Sequence, residues 1–559
     1  MVRSPSGESA RVRDYVITYN GELYNTEELH RDLLARGYAF QGHSDTEVLL
    51  TAYIEWGPAC VDRFNGIFAF GIWSEADQSL FLARDRLGVK PLFYARCGSG
   101  LLFASELKAL LAHPAVKPEV DETGLAEVLI LGPARTPGHG VFKGAEELKP
   151  GHCLTFDRQG THIHQYWALE SHPHPDDLET TVARVRELFL DTVERQLVSD
   201  VPISTFLSGG LDSSGITAVA ANAFKRDGLG TLPTFEVDYV GNDRYFHPTA
   251  YQPNPDSPYA KLVSQAFATS HNTFLFDTRD LVDALSAAMR ARDLPGMADV
   301  DSSLYVFSRE IKKKATVALS GESADEIFGG YPWLYREDAL NAGTFPWALK
   351  TPEWARLLGP EIRQRIGAEA YVAHRYHEAL AEVPRLPGEA PLEASRRDMF
   401  YLNITRFMPV LLDRKDRMSM AWGLEVRVPF CDHRLVEYVW NIPWSMKYVD
   451  EQPKGILRRA LAGILPEEVR RRQKSPYPKT HNPAYLATTR QLLLNRLDDP
   501  ASPIHTLLDL EAVRNLALRS QDAATGSPWF GQLMDDAQFF AYLVQLDEWM
   551  REYKVEVRL

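Results

Sequence analysis

The segment Ser208-Gly209-Gly210-Leu211-Asp212-Ser213-Ser214 constrains this chain more than any other. The apolar stretch 201–207 before it reads as a short buried strand, and the alanine-rich stretch 216–224 after it as a helix. A glycine turn between a strand and a helix N-terminus leaves several backbone N–H groups aimed at one point. The helix dipole favours negative charge at that point too. Gly209 and Gly210 let a ligand approach closely, and the serine hydroxyls add donors. The segment reads as a phosphate cradle. It is not a Walker loop, since no Gly-Lys-Ser/Thr follows, nor is it Gly-x-Gly-x-x-Gly. Two glycines alone would mark only an ordinary strand–turn–helix corner.

A second corner repeats the pattern. The apolar strand 316–319 runs into Ser320-Gly321-Glu322-Ser323-Ala324-Asp325-Glu326-Ile327-Phe328-Gly329-Gly330-Tyr331, which carries three acids within five positions. Carboxylates beside a phosphate site repel the nucleotide unless a cation lies between them, and Mg2+ is the natural bridge. Asp212 and Asp325 are the candidate ligands. A solvated acidic helix start is the plainer alternative, but two such loops on successive strand ends argue against it.

The first loop resembles the pyrophosphate loop of the ATP pyrophosphatases, which cut ATP between the α- and β-phosphates and so make acyl-adenylates. Four more segments extend the likeness: Leu411-Leu412-Asp413-Arg414-Lys415-Asp416-Arg417-Met418-Ser419-Met420-Ala421, Leu424-Glu425-Val426-Arg427-Val428-Pro429-Phe430, Lys454-Gly455-Ile456-Leu457-Arg458-Arg459-Ala460 and Lys474-Ser475-Pro476-Tyr477-Pro478-Lys479. With the two loops they resemble the glutamine-hydrolysing asparagine synthetases of bacterial type along nearly the whole chain. The last two, with an insert at 245–259, are most similar to Gram-positive versions. The resemblance implies an α/β fold in two parts. Residues 1–170 would form an Ntn-hydrolase-type αββα sandwich, a type-2 glutamine amidotransferase domain incomplete at its start. After a linker at 171–180, residues 181–559 would form an ATP-pyrophosphatase-type parallel sheet with a helical extension.

Composition suits that class, since 559 residues exceed a single core and imply two or three domains. A net charge of −14 argues against nucleic acid or an anionic membrane as partner. No apolar run approaches the roughly 20 residues that span a bilayer, and residues 1–12 lack the apolar core of a signal peptide. Cysteines at 60, 97, 153 and 431, without metal spacing, suit free thiols in a reducing cytoplasm.

In the first unit the strand 15–19 leads to Asn20-Gly21-Glu22-Leu23-Tyr24-Asn25, followed by an amphipathic helix at 26–36 with Thr26 as N-cap. Then come His43-Ser44-Asp45-Thr46-Glu47-Val48 and Phe64-Asn65-Gly66-Ile67-Phe68-Ala69-Phe70. Residues 79–84 and 91–95 read as sheet, and 103–110 as a strand passing into a helix. Together these resemble the glutaminase domain of the N-terminal-nucleophile amidotransferases. The likeness implies that Asn20 and Gly21 supply an oxyanion hole, whose donors contribute about 3 kcal/mol each when preorganised. It also implies that Glu22 and Asp45 grip the α-amino end of glutamine. On its own, Asn-Gly is equally the dipeptide of a tight turn.

The start of the chain departs from that pattern. The family's nucleophile is a cysteine exposed once Met is removed, with its own α-amino group as base. Position 2 here is Val2, and no cysteine precedes Cys60. An internal cysteine cannot substitute, because thiol and free amine must share one residue, and Cys60 reads as a buried structural thiol. The family also places several dozen residues, with early strands and a glutamine-binding arginine, ahead of the Asn-Gly pair. One expectation is a true start further upstream, because a sheet without its opening strands leaves edges unpaired and apolar faces open. The other is a domain that has lost glutamine hydrolysis. As written, the chain is expected to use free ammonia.

The linker is expected in Ser171-His172-Pro173-His174-Pro175-Asp176-Asp177, whose two histidines make a poor metal site. Beyond it, 178–197 is an amphipathic helix. Strands at 201–207, 231–237, 273–276 and 316–319 alternate with helical segments, as in a parallel sheet wrapped on both faces with its nucleotide at the strands' carboxyl ends. From about residue 340 the chain reads as helical.

Carried onto these residues, the resemblance implies ATP with its phosphates on Ser208, Gly209, Gly210, Asp212, Ser213 and Ser214. Backbone groups of Leu207, Val237 and Gly321, with Ser320 beside them, would hold the adenosine, and Asp212 and Asp325 the Mg2+. The β-carboxylate of aspartate attacks the α-phosphorus, giving β-aspartyl-AMP and pyrophosphate, so cations must line the leaving group. Lys454, on a helix beginning near Pro453, matches the lysine that reaches the phosphates. Ammonia then displaces AMP, and Glu322 matches the residue assigned to intermediate formation or deprotonation. Arg414 and Lys415 are candidates for substrate carboxylates. The implied partners are aspartate, ATP and ammonia or glutamine, and a homodimer stays open. Two other readings remain. One is a related adenylating amide synthetase of the β-lactam synthetase or lasso-peptide cyclase type, against which the 474–479 and 413–418 segments argue. The other is an inactive regulatory homologue, against which intact Asp212, Glu322, Asp325 and Lys454 argue.

Overall fold

A computed structural model describes residues 14–246, 248, 253–519 and 528–559. Position 2 and part of the insert at 245–259 therefore lie outside the described residues. Strand β1 (Tyr15–Leu23) pairs antiparallel with β2 (Gly66–Ser74), and β2 with β3 (Ser79–Arg84). The sheet continues through β8 (His152–Asp157) and β9 (Gly160–Gln165) in the order β1-β2-β3-β8-β9. A second sheet joins β4 (Phe93–Cys97), β5 (Gly100–Ala104) and β7 (Ala145–Glu147) in the order β5-β4-β7. Strands β2 and β3 are buried at nearly every position, which requires cover on both faces. Helices Thr26–Ala35 and Asp45–Trp56 cover one face through Leu29, Leu33, Val48 and Leu49. On the other face Leu82 and Leu154 meet Leu92 and Tyr94 of the second sheet. The outer face of that sheet packs on helical residues such as Leu107, Leu110 and Leu125. The layers are helix, sheet, sheet, helix.

The second unit is built on a parallel five-stranded sheet, β12-β11-β10-β13-β14. Its strands are β10 (Ile203–Phe206), β11 (Pro233–Tyr239), β12 (Ser270–Phe276), β13 (Val317–Leu319) and β14 (Glu425–Arg427). Four were expected from alternating patterns, and their ends move by up to three residues. The fifth, β14, spans three residues inside Leu424-Glu425-Val426-Arg427 and carries no period of its own. Helix Leu211–Arg226 packs on one face through Ile216 and Ala220. Helix Asp299–Lys312 packs on the other through Leu304, Phe307 and Ile311.

One local alternative is removed and one expectation is corrected. Asn20 and Gly21 lie within β1, paired with Ala69 and Phe68, so they form no turn. Asn25, not Thr26, occupies the helix N-cap position, because the Thr26 hydroxyl turns back to donate to the Leu23 carbonyl at 2.6 Å. Among the described residues the region after 340 consists of helices and connecting loops apart from β14 and β15 (Glu556–Val557).

The two units are locked together. Strand β15 pairs in parallel with β6 (Glu119–Val120) of the first unit. Lys90 and Asp416 form an interior ion pair at 2.9 Å. Asp293, fully buried, accepts from Lys108, from the Leu107 N–H and from Tyr553, and also pairs with Arg417. Among the described residues no helix is long and apolar enough to cross a membrane.

Candidate active site

The turn after β10 is held by its own side chains. Ser213 Oγ accepts from Ser208 N at 3.2 Å and lies 3.1 Å from Ser208 Oγ. Gly210 precedes the first turn of helix Leu211–Arg226 with no side-chain cap, so the N-terminal N–H groups stay available to a ligand. Arg472 braces the turn from outside, donating to the Ser208 carbonyl at 3.0 Å and pairing with Asp256 at 2.5 Å. Gly209 has φ +69, and a Cβ there would lie 2.4 Å from Ala260 N. Gly209→Ala therefore combines overpacking against backbone with a left-handed conformation. It should destabilise the fold by about 3 kcal/mol in thermal or denaturant unfolding. Ser208, Gly210, Asp212 and Ser213 line a cavity of about 190 Å³ together with Ser320 and Gly321. Ser214 is fully buried and does not line it, and its hydroxyl has no hydrogen-bond partner.

The two strand corners meet over a cluster of charge. Lys454 Nζ lies 2.6 Å from Asp212 Oδ2 and 2.7 Å from Asp325 Oδ1. Lys474 Nζ reaches Asp325 Oδ2 at 3.3 Å. Lys454 is 3% exposed and takes a left-handed backbone, φ 57, just ahead of helix Gly455–Ala460. Burial alone would raise both carboxyls. Asp325, with two lysines against it, is held below its ordinary value. Asp212 is pushed above its own by burial and by Asp325, which outweigh Lys454. Asp212 Oδ1 is buried without a hydrogen-bond partner.

A second cluster stands beside the first. Glu322 Oε1 lies 3.1 Å from both Arg414 and Lys415 on helix Met408–Met420. Burial would raise Glu322, but Lys415 and Arg414 outweigh it and hold the carboxyl below its usual range. Lys415 is lowered, chiefly by burial. Three carboxylates (Asp212, Glu322, Asp325) and three cations (Lys474, Arg414, Lys415) thus line one cavity, and Lys454 pairs with two of the carboxylates. The third acid of the loop, Glu326, turns away. Burial pushes it up to about 8, and it accepts from Tyr331 at 2.6 Å. The Leu207 N–H bonds Phe235 O at 2.8 Å, and Val237 lines the cavity from the neighbouring strand. Sequence reasoning gave no role to Lys474, although its segment was singled out. Its signal was a lysine in a proline-flanked loop, and its meaning depends on a contact 149 positions away, read from the numbers of Lys474 and Asp325.

The residues expected to hold glutamine also converge. A Cβ on Gly21 would lie 2.1 Å from Ile67 O, so only glycine fits there in β1. Asn20 Nδ2 donates to Ser105 Oγ at 3.3 Å. Asp45 accepts from Tyr19 at 2.8 Å and from Leu23 N at 3.2 Å. Glu22 is paired at 3.1 Å with Arg427 of β14, whose carbonyl accepts from Ser320 N at 2.9 Å. One arginine therefore touches both units' candidate sites. Burial raises Glu22 to about 7 against the opposing pull of Arg427. A carboxyl raised on folding adds stability in full below its unfolded value of 4.5, and the gain is lost as pH rises through 7. Glu22→Gln should flatten the pH dependence of stability across that window in melts run from pH 4 to 8. Cys60 is fully buried, and burial pushes its thiol far up, which suits a structural thiol. In the 171–177 stretch, His172 pairs with Glu170 at 3.3 Å and His174 lies 2.8 Å from Thr181 Oγ1.

The asparagine synthase family pattern matches residues 184–551, and that of the glutamine amidotransferase domain residues 8–167. The chain is 53% identical over 555 residues to glutamine-hydrolysing asparagine synthetase 3 of Bacillus subtilis, covering 99% of this chain and 90% of that protein. Against asparagine synthetase 1 of the same organism it is 30% identical over 560 residues, covering 93% and 82%. It is also 29% identical over 531 residues to the amidase chyE of Penicillium rubens, covering 82% and 76%. The chain belongs to the glutamine-hydrolysing asparagine synthetase family of ligases.

Proposed function

We propose that this protein amidates aspartate to asparagine through β-aspartyl-AMP, releasing AMP and pyrophosphate. The observation that carries this reading is the shared cluster of Lys454, Asp212 and Asp325, set between two glycine-bearing strand ends. Phosphates seated on the N–H groups of the 208–210 turn lie next to Lys454 and Lys474, which stabilise charge on the departing pyrophosphate. Arg414 and Lys415 face the same cavity and orient an acid substrate while holding Glu322 ionised. The β-carboxylate oxygen forms a bond to the α-phosphorus as the bond to pyrophosphate breaks. Ammonia then attacks the β-carbonyl carbon, AMP leaves with the carboxylate oxygen, and the surplus proton passes to a base. Glu322, a carboxylate that lines the same cavity, is the candidate acceptor for that proton.

Asp212 and Asp325 are the residues that would hold Mg2+. The buried, unpartnered Asp212 Oδ1 fits that role. Mg2+ takes one or two carboxylates together with phosphate oxygens. When bound, Mg2+ neutralises phosphate charge. The nitrogen source is free ammonia or glutamine; glutamine would place its amide carbonyl at Asn20 and Gly21 and its α-amino end toward Glu22 and Asp45.

The test is product analysis with ATP, Mg2+ and aspartate, run in parallel with ammonium and with glutamine. AMP, pyrophosphate and asparagine formed in equal amounts are the expected result. ADP and phosphate, or turnover that ignores aspartate, would defeat the reading.

A further inference from the structure

We infer that Glu236 binds the ribose hydroxyls of the nucleotide and so sets the preference for a ribonucleotide over a deoxyribonucleotide. The inference rests on the reading of the cavity as an ATP site and assigns it a residue not otherwise accounted for.

Glu236 stands in the middle of β11, where an ionised group needs a reason to be. It is 3% exposed. Its Oε2 is satisfied, lying 3.1 Å from His271 Nε2 and accepting from Thr273 Oγ1 at 3.1 Å. Its Oε1 is buried with no hydrogen-bond partner, and the residue lines the cavity shared by Ser208, Asp212 and Gly321. A buried carboxylate oxygen left bare is costly, so a donor belongs there. The other carboxylate on that side, Asp256, is already engaged by Arg472.

The donor follows from charge and distance. Phosphate oxygens are acceptors and would leave an acceptor oxygen without a donor. ATP offers two sets of donors, the ribose hydroxyls and the adenine amine. Strand β11 lies beside β10, with Phe235 level with Phe206, so Glu236 sits level with Leu207 at the foot of the phosphate turn. Adjacent strands are about 4.8 Å apart, a span that matches the sugar attached to the α-phosphate rather than the amine at the far end of the base. A carboxylate on a strand reading ribose hydroxyls is also the chemistry other doubly wound sheets use.

The experiment measures kcat and KM for ATP, 2′-deoxy-ATP, 3′-deoxy-ATP and GTP with Mg2+, aspartate and ammonium. It compares the full chain with Glu236→Gln and Glu236→Ala, and thermal unfolding checks that each variant is folded. Equilibrium binding of the same nucleotides gives a readout independent of turnover. The parent protein should show a KM at least about 10-fold higher for one of the deoxynucleotides than for ATP, with kcat little changed. In both variants that ratio should fall to within about 2-fold, because KM for ATP rises while the deoxynucleotide value stays put. Equal use of ATP and both deoxynucleotides by the parent protein would overturn the inference. So would variants that keep the discrimination, or variants that change only the ATP-to-GTP ratio, which would make Glu236 a reader of the base. A parent protein that binds ATP but yields no AMP fails the proposed function instead, and the binding ratios still decide the role of Glu236. One that binds no nucleotide defeats both.

Discussion

Lys454→Met should remove aspartate-dependent AMP formation by a factor of about 10³ or more. The lysine is shared by Asp212 and Asp325 at 2.6 and 2.7 Å, and among the described residues no other cation reaches Asp212 within ion-pair distance. Without it two buried carboxylates face each other and the incoming phosphates, so the loss falls on the transition state, where charge accumulates on the leaving group. Breaking a buried pair also costs stability, of order 3–5 kcal/mol when a charge is left uncompensated. Protonation of a carboxyl relieves part of that cost, so the variant should be less impaired in stability at pH 5 than at pH 8. Steady-state AMP release at saturating ATP, with melts at those two pH values, tests both halves. A variant retaining a tenth of the parent activity would contradict the assignment.

Glu322→Gln carries the second large effect. The substitution keeps shape but removes the carboxylate that Arg414 and Lys415 share, at 3.1 Å each. Two buried cations then stand unbalanced, and Lys415, already lowered by burial, loses its main support for the charged form. Turnover with aspartate should fall by about 10²- to 10³-fold, while KM for ATP, whose phosphates the proposed mechanism seats on the 208–210 turn, should change little. ATP–pyrophosphate exchange separates the half-reactions. Exchange that survives while asparagine formation is lost would place Glu322 in the ammonia step. Loss of both would place it in adenylation.

What the sequence made legible was what local chemistry determines. The corner at 208–214 was readable because strand, glycine turn and helix are contiguous, and the same held for 320–331. The contacts that turn those corners into a site were not readable. Lys454 and Asp212 are 242 positions apart, and no period or spacing in the chain announces their meeting. Strand β14 was hidden because three residues cannot display alternation, and its strand character comes from pairing Leu319 with Arg427. Asn20-Gly21 was open to two readings because the dipeptide suits a turn. The close approach of Ile67 O to Gly21, a tertiary fact, explains the glycine inside a strand. Glu236 gave a signal that passed unread, an acid between the apolar Phe235 and Val237 of a buried strand.

The central claim is that a carboxylate oxygen of aspartate attacks the α-phosphorus of ATP. Aspartate labelled with 18O in its β-carboxylate, turned over with ATP, Mg2+ and ammonium, tests it directly by mass spectrometry of the nucleotide product. The account predicts one 18O atom in the phosphoryl group of AMP for each asparagine formed, with none in pyrophosphate. Label recovered in inorganic phosphate alongside ADP, or AMP formed free of label, would contradict it.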